Sequence, residues 1–327
     1  MARHRKQDIC VGNVLQPGGG AVMGRIAQFL AGLPYEIPLS AVNRQCSSGL
    51  QAIANIYGAI KAGGIDAGIG AGAESMSSND MAEATPSVDW AAAKGNPLAW
   101  ACTIPMGITS ENVAERYGVS REDQDRIAVR SHARVAAATR AGAFVEIVPV
   151  TLAPAEEGGA PVVVDRDDGV REGTTVEGLA RLKPAFKEGG STTAGNSSQV
   201  SDGAAAVVVA RRSVALAAGI APLATMLSYA VVGVPPDEMV RGCPGLRGCT
   251  AQWVRCAAAG TACAHGSLVA RRPLPACRAS GPPLQSPRPS ARPASSWTMS
   301  TSSRSTRPLR VRRVVRGWTG LANALSD

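Results

Sequence analysis

One cysteine has the surroundings of a nucleophile. Cys46 follows residues 37–42, whose alternation of apolar and small side chains predicts a strand. After it, apolar residues recur at helical spacing from Leu50 to Ile60. A thiol at such a junction faces the unpaired N–H groups and the positive end of the helix dipole, which favours the nucleophilic thiolate. The small residues at 47–49 leave room for a substrate carbonyl to reach the sulfur.

The same position also suits a small buried residue at the start of a helix, and spacing alone does not separate the two interpretations. The residue types separate them, because the sequence Asn43–Ala52 resembles the nucleophile motif of the thiolase family, in particular of the degradative 3-ketoacyl-CoA thiolases of peroxisomes. The strings Ile104–Arg116 and Thr193–Ala206 resemble that family too, and the resemblance spans residues 8–240. A condensing enzyme of fatty-acid synthesis shares the fold and a cysteine nucleophile, but not these strings.

The resemblance implies acyl transfer through a covalent intermediate. Cys46 attacks the ketone of a 3-ketoacyl-CoA, acetyl-CoA leaves, and a second CoA thiol takes the acyl group from the sulfur. Met106 matches a family position beside the acyl-thioester end, and Ser198 matches one beside the pantetheine arm. Without the family, a core methionine and a turn-forming serine are the simpler interpretations. CoA is a substrate, so neither a cofactor nor a metal is expected.

Strands and helices alternate in the first part of the chain. Strands are predicted at 8–14, 37–42 and 66–73, with a helix over 22–31 and another from Leu50. This order favours an α/β fold with a parallel sheet and helices on both faces.

The later elements are spaced more loosely. Residues 104–116 start a helix, Ser120 caps the next one to about Ala141, and a strand at 207–210, a helix at 213–218 and a strand at 223–232 follow.

For the domain organisation, the resemblance implies a layered α/β fold of two similar halves and a homodimer. Residues 8–240 correspond to the N-terminal half, with a loop domain inserted at about 76–187. Residues 1–7 read as a non-family start, and the family's first strand and helix are not recognised before Asp8.

Charge is divided unevenly along the chain. The net charge is +9, but residues 241–327 carry 14 Arg, no Lys and one acid, whereas 1–240 carry 20 basic and 24 acidic residues. A basic tail can bind nucleic acid or an anionic surface. The tail lacks Lys, Ile, Phe and Tyr and has little apolar periodicity, so we predict that it is disordered and that nucleic acid is not its partner.

Cysteine use and the termini bear on the compartment. Five of the eight cysteines lie in 241–327 without zinc-ligand spacing, and the three before it fit a reducing compartment. No run is long and apolar enough to span a bilayer, and the basic start lacks the apolar core of a secretory signal. The terminal Leu-Ser-Asp is not a peroxisomal address, so the resemblance alone predicts the peroxisome, with the mitochondrion or cytoplasm as alternatives.

The tail departs from the family. Cleavage of the carbon–carbon bond needs a base that activates Cys46, an acid that protonates the leaving carbanion and hydrogen-bond donors to the thioester oxygens. The family takes these groups from Asn-Glu-Ala-Phe, Gly-His-Pro and Cys-x-Gly strings, none of which occurs in 241–327. His4, His132 and His265 do not look like substitutes; we interpret His132 as a surface or packing residue.

The reading frame offers an explanation. Written in GC-rich codons and shifted back one base, Arg292–Pro308 can spell Val-Asp-Asp-Val-Asp-Ile-Phe-Glu-Ile-Asn-Glu-Ala, which resembles the family's second-half motif. We therefore interpret 241–327 as a frameshifted or mis-spliced product or a gene-model error. The chain is expected to be inactive as written; the alternative function is a non-catalytic fragment that binds acyl-CoA or dimerises with a full-length copy.

Overall fold

The structure is a computed structural model that describes residues 7–79, 81, 88–152, 154 and 159–238. The predicted tail at 241–327 and most of the predicted non-family start lie outside these residues. Among the described residues, six strands, β1–β6, span Gln7–Gly12, Leu39–Val42, Ala67–Glu74, Val150–Leu152, Val162–Val164 and Gly203–Ala210. The same residues form eight α-helices, α1–α8, which span Ala21–Leu30, Ser48–Lys61, Trp90–Lys94, Pro97–Ala101, Met106–Tyr117, Arg121–Arg140, Val176–Ala180 and Arg212–Ala217.

The main sheet has the strand order β2-β1-β3-β6. Its first three strands are parallel, as predicted, and the register places Gly12 of β1 beside Gly72 of β3. The fourth strand, β6, pairs antiparallel with β3, an edge that the parallel order predicted from the first three strands did not include. The sheet is mixed, and the α/β class is confirmed.

Glycine on β3 lets α2 lie close to the sheet. A Cβ at Gly68 would lie 2.8 Å from the side chain of Ile56, and one at Gly70 would lie 2.7 Å from Ile53. The two helix residues fill the space that the glycines leave, and the core under α2 consists of Cys10, Ala52, Ile56 and Ile60. The small-residue run of β3 therefore reflects close helix packing.

The other face of the sheet is covered by α1. A Cβ at Gly24 would lie 3.1 Å from the side chain of Leu39 and 3.6 Å from that of Val11. Since Cys10 faces α2 and its neighbour Val11 faces α1, helices lie on both faces, as predicted.

Residues between β3 and β6 form α3–α7 and a separate two-stranded antiparallel sheet of β4 and β5. Ser120 caps α6, because its hydroxyl accepts the N–H of Asp123 at 3.1 Å, which confirms that predicted helix start. That the segment 76–187 is a loop domain stays a prediction.

The predicted strand at 223–232 is wrong. These residues form no strand, and the segment lies against α2 instead of joining the sheet. The hydroxyl of Tyr57 donates to the carbonyl of Leu227 at 3.4 Å, and the hydroxyl of Tyr229 donates to Gln51. The contacts that join this segment to α2 are therefore polar, while Leu223, Leu227 and Val232 are exposed.

Within the described ranges, the structure has no helix with the length and apolar character needed to cross a membrane.

Candidate active site

The turn between β2 and α2 presents Cys46. The strand ends at Val42 and the helix begins at Ser48, with Ser47 as its N-cap, so Cys46 stands two residues before the first helical residue. Its side chain is exposed. The interpretation of Cys46 as a small buried residue is therefore wrong, and the predicted placement at a strand-to-helix junction is confirmed.

Backbone strain lies next to this cysteine. Gln45 has a φ of 48°, and among the described residues it is the only one other than glycine with a positive φ. The Oδ1 of Asn43 accepts the N–H of Gln45 at 2.9 Å, which forms a turn closed by a side chain. A left-handed residue without glycine's freedom costs about 1 kcal/mol, and such strain concentrates at functional sites.

Close contact between backbones sets the height of the turn above the sheet. A Cβ at Gly12 would lie 2.3 Å from the carbonyl carbon of Ser48, and one at Gly72 would lie 3.3 Å from the Cα of Gly49. The first turn of α2 thus rests directly on β1 and β3. Cys46 consequently lies at the carboxyl ends of three parallel strands, where open α/β sheets bind ligands.

Glu74, the last residue of β3, orders the loop that follows β1. Its carboxylate accepts the N–H of Val14 at 2.9 Å and that of Leu15 at 3.1 Å. The amide of Asn43 in turn donates to the carbonyl of Val14 at 3.3 Å. Glu74 is therefore connected to the turn at Cys46 through one intervening loop, an arrangement that the sequence alone did not indicate.

The other two predicted site residues lie on separate elements. Met106 is the first residue of α5 and is 44% exposed, so it is not a core methionine. Ser198 is exposed in the loop before β6, and its hydroxyl donates to the carbonyl of Gln199 at 3.1 Å. No hydrogen bond joins either residue to Cys46. Their roles beside the substrate stay predictions.

The loop of residues 191–198 is held by a buried carboxylate on α5. Glu111, 5% exposed, accepts the N–H of Thr192 at 2.7 Å and both the N–H and the hydroxyl of Ser191. Burial alone raises the pKa of Glu111, but the hydrogen bonds from Ser191 and Thr192 outweigh it, so the pKa lies below its ordinary value. Glu111 is therefore held ionised.

A second buried carboxylate, on α6, holds the same loop. Asp125 accepts from the amide of Asn196 at 2.9 Å and from the guanidinium of Arg121 at 2.8 Å. Asn196 also accepts the N–H of Thr193 at 2.7 Å. Glu111 and Asn196 lie inside two of the strings that carried the family resemblance, but the bonds of Glu111 to Ser191 and Thr192, about 80 residues further along the chain, were not foreseen.

A charged contact joins α5 to the end of the described chain. Arg116 bonds to Asp237 and, at 2.6 Å, to Glu238, whose other oxygen accepts the hydroxyl of Tyr117 at 3.0 Å. Arg116 lowers the pKa of both acids, and they raise the pKa of Arg116.

No acid or base is hydrogen-bonded to the sulfur within the part of the chain that the structure describes. No hydrogen bond reaches the Sγ of Cys46 there, and His132 instead accepts the N–H of Arg171 at 3.3 Å. That agrees with the interpretation of His132 as a surface or packing residue. No group of metal-ligating side chains gathers among these residues either.

Comparison with known proteins decides the family. The model of the family "Thiolase, N-terminal domain" matches residues 3–213, which is more than half of the chain. The chain belongs to the thiolase family. The resemblance of the three strings is confirmed by this match.

Individual thiolases show the same relationship. Peroxisomal 3-ketoacyl-CoA thiolase B of Rattus norvegicus is 58% identical over 235 residues, which are 71% of this chain and 55% of that protein. The human peroxisomal 3-ketoacyl-CoA thiolase is 57% identical over the same shares. The chain thus spans little more than half the length of these relatives.

The thiolase fold is also shown by a solved structure. The dimeric peroxisomal thiolase of Saccharomyces cerevisiae superposes with a TM-score of 0.65 at 41% identity. The match covers 71% of this chain and 58% of that one. The described sheet, α2 and the segment between β3 and β6 are therefore parts of a thiolase fold.

Proposed function

We propose that this chain carries the nucleophile half of an acyl-CoA C-acyltransferase that cleaves 3-ketoacyl-CoA in fatty-acid β-oxidation. The observation that carries the proposal is the exposed Cys46 at the strand-to-helix junction. Relatives that are more than half identical are named 3-ketoacyl-CoA thiolases. A thiolate at a helix start is a suitable nucleophile for a ketone carbonyl.

The proposed reaction has two steps. In the first, the thiolate of Cys46 bonds to the C3 carbonyl carbon, the C2–C3 bond breaks, and the departing acetyl-CoA carbanion takes up a proton. In the second, the thiolate of a second CoA attacks the acyl-cysteine, which releases the shortened acyl-CoA and restores the thiolate of Cys46. Met106 would lie beside the acyl-thioester end and Ser198 beside the pantetheine arm.

Proton transfer limits what this chain does alone. Cleavage of the C2–C3 bond needs an acid for the departing carbanion, and no described acid or base is hydrogen-bonded to the sulfur, whereas transfer from a thioester to the thiolate breaks no carbon–carbon bond. We therefore propose that the 327-residue chain transfers acyl groups to Cys46 but turns over slowly. Substantial thiolysis of acetoacetyl-CoA by the purified chain would contradict the slow turnover.

Acyl transfer to the sulfur is the direct test. The purified chain is incubated with acetyl-CoA, and acetylated cysteine peptides are quantified by mass spectrometry. Cys46 is expected to acetylate faster than the exposed Cys102, and C46S is expected to lose the label while C102S keeps it. Equal acetylation of Cys46 and Cys102 would contradict the proposal.

CoA thioesters are the proposed partners, together with a second copy of the chain, since the related yeast thiolase is described as dimeric. The proposed location is the peroxisome, because the relatives are named for it. Neither a cofactor nor a metal is part of the proposed reaction.

A second candidate is a non-catalytic module that binds acyl-CoA. It is favoured by the absence of an acid or base hydrogen-bonded to Cys46 among the described side chains. This candidate predicts CoA binding that survives C46S together with no acetylation of the unmodified chain.

A further inference from the structure

One hydroxyl group closes the turn that presents Cys46. The Oγ of Ser48 accepts the N–H of Arg44 at 2.9 Å and donates to the carbonyl of Gln45 at 2.5 Å. The N–H of Ser48 donates to the same carbonyl at 3.0 Å. The Ser48 hydroxyl therefore joins the N–H of Arg44 to the carbonyl of Gln45, the strained left-handed residue that immediately precedes the cysteine.

Ser48 itself has little freedom to move. It is 4% exposed, and its carbonyl carbon lies where a Cβ on Gly12 would be only 2.3 Å away. Because the backbone of Ser48 packs against β1, the bonds of its hydroxyl fix the position of the turn relative to the sheet. A hydroxyl on an exposed residue, which does not pack on the sheet, would not fix the turn in this way.

We propose that Ser48 is a positioning residue for Cys46. Its hydroxyl keeps Gln45 left-handed and so fixes where the thiol lies relative to the first turn of α2. The inference rests on the proposed role of Cys46 as the nucleophile. Its test measures the thiol itself and does not depend on thiolase turnover.

Ser47 provides a matched control. Its hydroxyl also bonds within the turn, donating to the carbonyl of Arg44 at 2.9 Å. However, Ser47 is exposed and makes no side-chain bond to Gln45. Removal of this hydroxyl leaves both bonds of the Ser48 hydroxyl in place.

The experiment compares the alkylation rates of two exposed cysteines in one molecule. Iodoacetamide reacts with the full chain, and peptide mass spectrometry follows Cys46 with Cys102 as the internal reference. S48A is expected to lower the alkylation rate of Cys46 relative to that of Cys102 by about fivefold, because the strained turn relaxes and moves the thiol away from the helix start. S47A is expected to change the ratio by less than about twofold.

A second substitution separates positioning from general support of the fold. Glycine adopts a positive φ without steric cost. The ratio of the Cys46 to the Cys102 alkylation rate in S48A/Q45G is therefore expected to lie within about twofold of the ratio in Q45G. A serine that only stabilises the fold is not rescued in this way. The proposal is overturned if S48A reacts like the unmodified chain, or if S48A/Q45G stays as slow or as unstable as S48A.

The unmodified chain reports separately on the function. If its Cys46 reacts no faster than Cys102, the proposed nucleophile loses its support. The ratio of S48A to the unmodified chain still shows whether Ser48 positions the thiol.

Discussion

The turn that carries Cys46 and the loop that carries Ser198 are held in place by different physical means. The direct contacts of the turn are uncharged: a hydroxyl group, a left-handed residue and a helix start that touches the backbone of Gly12. The loop at 191–198 depends on Glu111 and Asp125, two buried carboxylates that bond to its N–H and amide groups.

The turn should therefore be sensitive to added side-chain volume, and the loop to the loss of a charge. Added volume under the turn has no space to enter, because interiors are packed as densely as organic crystals. Loss of charge under the loop leaves N–H donors without an acceptor. The two regions should therefore respond to different substitutions and to different solvent conditions.

The largest effect is expected for G12A. The added Cβ would lie 2.3 Å from the backbone of Ser48, where neither side can yield by a rotamer change. We expect the free energy of unfolding to fall by about 3 kcal/mol, measured by urea denaturation.

The control for G12A is G58A. Gly58 lies in α2 with nothing within 4 Å of its added Cβ, so alanine should stabilise the helix by up to about 1 kcal/mol. Equal midpoints for G12A and the unmodified chain would show that α2 does not rest on β1 as described.

The next largest effect is expected for E111Q. Glutamine keeps one acceptor oxygen but turns its NH₂ group towards the donors of Ser191 and Thr192. We expect a loss of about 2 kcal/mol in urea denaturation and faster amide hydrogen exchange at 191–198.

E115Q on the same helix is the control. Glu115 pairs with Lys187 at the surface, and such a pair contributes no more than about 0.5 kcal/mol. If E111Q and E115Q behave alike, the loop is not held by the charge of Glu111.

The first half of the fold was predictable because its signals are local. The helix predicted over 22–31 is observed at Ala21–Leu30, since its apolar spacing and the glycine after it are read within one segment. The place of Cys46 followed for the same reason, as the period of the apolar residues changes from two to 3.6 around it.

Contacts between distant segments were not predictable. Nothing in β6 itself indicates that it runs antiparallel to β3, because the long segment between them permits either direction. The partner of Glu111 lies 80 residues away, and a single glutamate on a helix is usually a solvated side chain. The strand predicted at 223–232 is wrong because the segment meets α2 through tyrosine hydroxyls, a long-range contact that its own apolar alternation does not reveal.

The smallest and most specific effect is the response to pH. The pKa of Glu111 is lowered in the folded chain, so its stabilisation is complete above its ordinary pKa of 4.5 and is lost as the pH falls through the lower folded value. The difference in unfolding free energy between the unmodified chain and E111Q should therefore be constant from about pH 7 to 5 and shrink below pH 4.5.

Two variants bracket this pH response. Burial raises the pKa of Asp8, so its ionised form costs stability, and D8N should gain an advantage that disappears as the pH falls towards 3.8. G12A removes no titrating group, so its deficit should not depend on pH. A deficit of E111Q that persists unchanged at pH 3 would mean that Glu111 supports the loop by shape and not by charge, and the contrast with the turn at Cys46 would fail.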